Sequence, residues 1–301
     1  MFFRNLTLFR FPAGHDFSQL AELLPEAALK PVGPLELGTA GFIPPLGRDS
    51  TELMHRIGDA IWLAVGEQRK LLPAAVVADA LARRIAEVEQ REGRKLGGRA
   101  RKRLKDEVLH ELLPKALVQN RRTDAILDLQ LGVLFVDTAS RKAAAAVASE
   151  IRRALGSFPA LPAAAETEPR AVLTSWLAGE PLPECMHFGD ECELRDPADG
   201  GAVAKLQHHQ LHSEEVARHL ESGKQVVRLG LCLDDRLGFV LGDDLVVRKL
   251  RFFEAAVESL ENTEHDDLHA ELDARFALMA GEARHLFRVL EQALHIRAGE
   301  G

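Results

Sequence analysis

The chain has 301 residues, with 38 Lys+Arg against 46 Asp+Glu and a formal net charge of −8. Apolar residues make up 46% and charged residues 28%, which is enough for a sizeable core and excludes wholesale disorder. No stretch of about eighteen apolar residues offers a membrane span, and a net acidic chain is not an indiscriminate polyanion binder.

At roughly 150 residues per domain, two domains are expected. The N-terminus Met1-Phe2-Phe3-Arg4-Asn5 lacks the basic region, apolar stretch and cleavage site of a signal peptide, so a cytoplasmic location is expected. The three cysteines, Cys185, Cys192 and Cys232, fit a reducing compartment and form no disulfide framework.

In chain order, Phe2–Phe11 is apolar and β-prone and predicts a strand. Gly41–Gly47 contains Pro44-Pro45, which cannot donate to a sheet ladder, and predicts a loop. Ile61–Val65 reads as a short strand. Pro73 suits the first turn of a helix whose stripe is Val77, Leu81, Ile85 and Val88. Gly93 and Gly97-Gly98 interrupt it, and a second helix carries Leu104, Val108 and Leu112 on one face. Leu129–Asp137 predicts a strand, and Ser140–Leu155 an alanine-rich helix ended by Gly156. The stretch 156–170 holds three prolines and few large apolar residues, so it predicts a connector. Beyond it, Ser213–Ser222 predicts a helix capped by Ser213 and ended by Gly223. Gln225–Leu233, Leu237–Leu241 and Leu245–Phe253 predict a β-meander with turns at Asp234-Asp235-Arg236 and Gly242-Asp243-Asp244. Phe276, Met279, Ala283, Leu286, Leu290 and Leu294 predict a long amphipathic helix. The mixed order points to an α+β fold. It divides into an N-terminal region 1–155, the connector 156–170 and a C-terminal region 171–301.

The charge is unevenly spread. Residues 1–170 carry a net of +4 and residues 171–301 a net of −12. Residues 83–122 hold 13 basic and 6 acidic residues, a net of +7. At 100° per residue, Arg99, Lys102 and Arg103 lie opposite the Leu104/Val108/Leu112 face. Such a stripe, with Lys95 before it and Lys115, Arg121 and Arg122 beyond it, can neutralise phosphates without reading bases. The bland alternative is a solvated basic helix paired with the acidic remainder of the chain, or one docking an acidic protein partner.

The other candidates are weaker. His208 and His212, like His265 and His269, have the i,i+4 spacing that can hold zinc on a helix. A metal-dependent hydrolase built from these histidines and nearby carboxylates is the rival reading. Surface histidines on polar helices are the bland one. Cys185, His187 and Cys192 do not have zinc-finger spacing, and buried free thiols are the default. Gly242-Asp243-Asp244 is better read as a turn than as a metal-carboxylate motif. The sequence contains no phosphate-binding P-loop, no Gly-x-Ser-x-Gly elbow and no dinucleotide fingerprint. With no tyrosine and 5% aromatic residues, a base-stacking platform is not expected.

Several segments, in order along nearly the whole chain, resemble the bacterial recombination-associated RdgC family. They include Phe3-Arg4-Asn5-Leu6, Gly41–Gly47, Leu71-Leu72-Pro73 and, most specifically, Leu104–Ala116. Val136–Ser140, Ala154–Ser157, Leu173–Trp176, Ser213-Glu214-Glu215, Gly223-Lys224, Arg248–Phe252 and Phe276–Met279 continue the series. The resemblance implies a DNA-binding protein that is not an enzyme and needs no cofactor. It would form a ring-shaped homodimer around duplex DNA, with little sequence preference, associate with the nucleoid and hinder the RecA recombinase. It also implies a DNA-lining segment just before Ser213, where this chain has Lys205 and His208. Relatives are usually richer in lysine and arginine there, and this chain's histidines suggest a weaker or more pH-sensitive grip. Leu117 and Asn120 stand where the family often has aromatic residues.

Overall fold

A computed structural model describes residues 2–47, 49–198, 201–261 and 268–297. Among these residues are two antiparallel sheets and eight α-helices, so the α+β class holds. The first sheet contains β1 (Thr7–Arg10), β2 (Gly38–Ile43), β3 (Met54–Ile57), β4 (Ala60–Leu71), β5 (Leu117–Asp128), β6 (Val133–Val136) and β7 (Leu161–Pro162). Its order is β2-β4-β5-β6-β1-β7, with β3 also paired to β4. The second sheet contains β8 (Met186–Arg195), β9 (Val203–Gln207), β10 (Gln225–Leu233), β11 (Leu237–Gly242) and β12 (Val247–Phe252), ordered β12-β11-β10-β8-β9. The helices are α1 (Leu20–Leu23), α2 (Ala74–Glu92), α3 (Gly98–Leu112), α4 (Arg141–Leu155), α5 (Pro169–Leu177), α6 (Glu214–Glu221), α7 (Glu254–Glu261) and α8 (Leu268–Leu294).

The first sheet buries both faces. Ile61, Leu63 and Val65 of β4, with Ala125 and Leu127 of β5, face a core closed by Ala144, Val147 and Ile151 of α4. Trp62 and Ile126 face the other way, into a core that includes Phe276, Leu286, Phe287 and Leu290 of α8 and the inner side of the second sheet. That two-sided burial makes Ile61–Val65 an unbroken apolar run rather than an alternating one. Ser140 caps α4 by accepting from the Ala143 amide at 3.3 Å, and Gly156 ends it at φ +73°.

Several contacts tie the first sheet to the second sheet and to α8. Leu6 and Val247 exchange backbone hydrogen bonds of 2.8 and 3.0 Å. Asp128, at the buried end of β5, accepts from Arg284 Nε of α8 at 2.5 Å and from the Leu131 amide at 2.9 Å. The Pro-rich stretch 156–170 is anchored along this junction. Phe158 and Ala160 are buried in the α4 core, and Leu161-Pro162 pair with β1.

Several expected elements change extent. The N-terminal strand shrinks to Thr7–Arg10. Gly41–Ile43 lie in β2, so the loop starts at Pro44. The strand expected over Leu129–Asp137 is Val133–Val136, because β5 runs on to Asp128 and a turn with Gly132 at φ +63° follows. Ile61–Val65 extends into a twelve-residue strand whose polar end, Glu67–Lys70, continues past the core. The meander is present as β10-β11-β12, with Asp234 and Asp235 at positive φ in the first turn and Asp243-Asp244 in the second. The expected long helix is α8, with Phe276, Met279, Ala283, Leu286, Leu290 and Leu294 all buried.

Asp128 is 1% exposed, so removing its cation leaves a buried carboxylate held by one amide. Arg284→Met is expected to lower unfolding free energy by about 3 kcal/mol, measured by urea denaturation. A change below about 0.5 kcal/mol would show that the pair is not structural.

Candidate nucleic-acid interface

β4 and β5 pair along their full lengths, from Ala60↔Asp128 to Leu71↔Leu117. The chain between their outer ends folds back on itself as α2 and α3, which form an arm. Pro73 precedes α2 with φ −60°, and Gly93 ends it in the left-handed region at φ +65°. The turn is pinned by Glu89, whose Oε1 accepts from the Leu96 amide at 2.8 Å. Between the helices Val77, Leu104 and Val108 are buried, while Leu81, Ile85 and Val88 are half-buried. At the root, Lys70 is 7% exposed and donates to Pro34 O at 2.5 Å and Leu113 O at 2.8 Å. One ammonium thus ties the arm to the segment beside β2.

Arg99, Lys102 and Arg103 project from the exposed face of α3, and Lys95 is exposed in the interhelix turn. Among the described residues, Lys95, Arg99 and Lys102 make no ion pair, while Arg103 meets Glu107 at 3.5 Å with 79% of its side chain exposed. Three other acidic residues of the arm pair away from this face. Glu89 meets Arg101 at 3.5 Å, Glu92 meets Arg94 at 3.1 Å, and Glu111 meets Arg84 at 3.1 Å.

Lys115 is exposed in the 3₁₀ turn after α3. Arg121 and Arg122 are adjacent on β5 and so point to opposite faces. Arg121 is exposed. Arg122 is held internally, with Nε and Nη2 on Asp124 at 2.8 and 2.7 Å and Nη2 donating to Pro45 O at 2.6 Å.

Lys205 and His208 are on a different sheet from the arm strands, at the β9 edge of the second sheet. Lys205 lies 3.6 Å from Glu193, and His208, at φ +54°, meets Asp190 at 2.9 Å. His208 and His212 are in the loop before α6, not on a helix, so their spacing does not bring them to one helix face. His212 instead packs edge-on against Phe188, with ring centroids 4.8 Å apart. The His265 to His269 pair lies outside the residues described to side-chain level. Among the described residues no group of three or more His, Cys, Asp or Glu side chains is placed to hold a metal. Cys192 is buried, which pushes its thiol up to about 12, and Cys185 and Cys232 are half-buried.

The sequence reading missed further cations on the second sheet. Arg228 of β10 and Lys249 and Arg251 of β12 are exposed on its outer face. The run Arg248-Lys249-Leu250-Arg251 was the available signal, but a β-bulge breaks its alternation.

A family profile described as "Putative exonuclease, RdgC" matches residues 1–297. The chain belongs to the RdgC family. It is 59% identical to recombination-associated protein RdgC of Xanthomonas campestris pv. campestris (strain B100), over 301 residues covering both chains completely. It is 60% identical, over the same span, to that of Xanthomonas axonopodis pv. citri (strain 306). With RdgC of Xylella fastidiosa (strain M23) it shares 57% over 297 residues, 98% of each chain. The RdgC resemblance read from scattered segments therefore extends over the full chain. Among the described residues, no helix is long and apolar enough to cross a membrane.

Two outcomes follow from this geometry. Because the arm packs on itself, Leu104→Ala should destabilise it by about 2–4 kcal/mol. Hydrogen exchange should then rise across 74–112 while the urea midpoint of the body stays within error, and a uniform rise would contradict an independent arm. The second concerns the β11–β12 turn. Burial alone would raise the Asp244 carboxyl, but its hydrogen bonds and charge contact with Arg248 outweigh this and hold it below its ordinary value. Its contribution to stability is therefore present above the unfolded carboxylate range and is lost as pH falls through the lower folded value. Asp244→Asn should reduce the stability lost between roughly pH 5 and pH 2, followed by thermal melts.

Proposed function

We propose that this chain is a DNA-binding protein that grips duplex phosphates without reading sequence, and that two copies close as a ring around the duplex. Occupied DNA is then less available to RecA filaments, and the protein sits with the nucleoid in the cytoplasm. The observation that carries this reading is the unpaired cationic face of the arm. Arg99, Lys102 and Lys95 have no carboxylate partner among the described residues, although the chain as a whole is acidic. Lysines and arginines left free of internal partners can displace counterions from a polyphosphate.

Dimerisation draws support from the arm's root. Leu71 and Leu117, paired across β4 and β5, are 47% and 76% exposed there, apolar surface of the kind that a second copy covers. A closed two-fold assembly also presents the basic segment twice around one axis. Lys115 and Arg121, beside that root, extend the cationic face, with Lys205 and His208 as secondary contacts. Arg122 contributes less, because its guanidinium is already bonded to Asp124 and Pro45.

The proposed activity is binding without hydrolysis. The family description favours a second reading, an exonuclease, and a time course of end-labelled duplex with magnesium separates the two. Shortened products that persist through purification to constant activity would establish the nuclease.

The binding reading is tested by titrating two unrelated duplexes across a salt series. Arg99→Glu combined with Lys102→Glu should weaken both complexes equally and flatten the log–log salt slope by about two. Wild-type affinity in that double variant would remove the arm from the interface.

A further inference from the structure

The arm hangs from the body by its two chain ends and one side chain. Helices α2 and α3 pack on each other, and α3 packs on the 3₁₀ turn Leu113–Lys115. Among the described residues, the bond from Lys70 Nζ to Leu113 O is the only hydrogen bond between residues 73–116 and the rest of the chain. The helix pair has an interior of its own, so its pitch against the sheet is left to the root.

Lys70 is placed to set that pitch. Gly66, Gln68 and Lys70 alternate onto one face of β4. A strap, residues 29–37, runs along this face in step with them. The Leu29 side chain lies over Gly66, where an added Cβ would fall 2.8 Å from its Cδ2. Gln68 Oε1 accepts from the Val32 amide at 2.9 Å, and Lys70 Nζ donates to Pro34 O. The Lys70 amide closes the strap by donating to Leu37 O at 2.8 Å. Pro31 and Pro34 stiffen it. One ammonium, with three donors on a single nitrogen, thus holds a carbonyl of the strap and a carbonyl at the end of α3 together. The second of these lies at the negative end of a helix, where a cation is favoured.

As mere filler the charge is costly. Lys70 is 7% exposed, and among the described residues it has no carboxylate partner. Burying an ammonium costs desolvation, and an apolar side chain of similar length would fill the space without that cost. What an apolar side chain does not do is fix carbonyls from two separate segments at one point.

We infer that Lys70 is a positioning residue for the DNA grip: it touches no phosphate itself, and it holds the arm at the angle at which Lys95, Arg99 and Lys102 are presented to a duplex. The strap belongs to the same device, because displacing Pro34 loosens the arm. This inference rests on the DNA-binding reading above and adds to it a residue that acts through the arm.

Lys70→Met keeps the aliphatic stem and removes both bonds. It should melt close to the wild type, because Leu113 O also accepts from the Ala116 amide and the exposed Pro34 can turn its carbonyl to water. Amide exchange should rise over 30–37 and 113–117 and stay slow over 78–110. Affinity for a fluorescein-labelled duplex should fall roughly fivefold, since ordering a loosened arm is added to the cost of binding. The log–log salt slope should stay at the wild-type value, because every phosphate contact remains. Gln68→Ala, which frees the strap at Val32 alone, should move exchange and affinity in the same direction and by less. A slope lower by about one would make Lys70 a direct phosphate contact and overturn the positioning role. Exchange rising across 74–112 would make it a residue that the arm needs in order to fold, and would overturn that role equally. Wild-type affinity in Lys70→Met, with the Arg99→Glu/Lys102→Glu protein impaired, overturns the inference and leaves the DNA-binding reading standing. If the wild type itself fails to bind DNA at low salt, that reading falls and the role of Lys70 in it falls too.

Discussion

The pairing of β4 with β5 sets the terms for the rest of the molecule. Over its inner half it lies between two cores, and the side chains alternate between Ile61, Leu63 and Val65 on one side and Trp62 on the other. Over its outer half the same ladder continues with no core to bury, so its residues turn polar at Glu67–Lys70 and Asn120–Arg122. The chain that leaves at Leu71 must return opposite it at Leu117. A helix pair packed on itself meets that condition, and the Lys70 ammonium fixes where it starts. Because the pair has so little interior, most of its surface faces water, which leaves room for the density of charge it carries.

The electrostatics follow from this division. An acidic chain would ordinarily repel DNA at a distance, and screening confines that repulsion to about 8 Å at physiological salt. Glu89, Glu92 and Glu111 of the arm are tied up in local pairs with Arg101, Arg94 and Arg84, so they do not cancel Lys95, Arg99 and Lys102. The second sheet handles charge differently. There Lys205 and Arg228 share Glu193, and Lys249 pairs with Glu191. The arm thus leaves cations unpaired while the second sheet pairs most of its own, within a chain whose overall charge is −8.

Much of this was legible in the residues. Periodicity located α2, α3, α4 and α8, because each has a one-sided stripe, and the first three also have a glycine, proline or serine near an end. Turn chemistry located the β10-β11-β12 meander. The failures have physical causes. The outer half of β4 has no apolar alternation because no apolar core covers it, so only Ile61–Val65 read as strand. Leu129–Asp137 looked continuous because turn residues such as Leu129 and Leu131 are themselves apolar. His208 and His212 suggested a helix that the positive φ of His208 rules out. On the site side, the arm cations stood out as a dense run. Arg228 and Lys249 did not, because they come together only through sheet register and a bulge that sequence spacing does not reveal.

The adjacency of Leu71 and Leu117 has one more consequence. Chain enters and leaves the arm through a single cross-strand step, so the excursion behaves as a cassette plugged into a fixed socket. Adding or removing one turn in each helix would alter its span by about 5.4 Å while every strand partner stays where it is. How far the molecule reaches and how firmly its body holds together are thus separate variables, open to independent tuning in descent or by design.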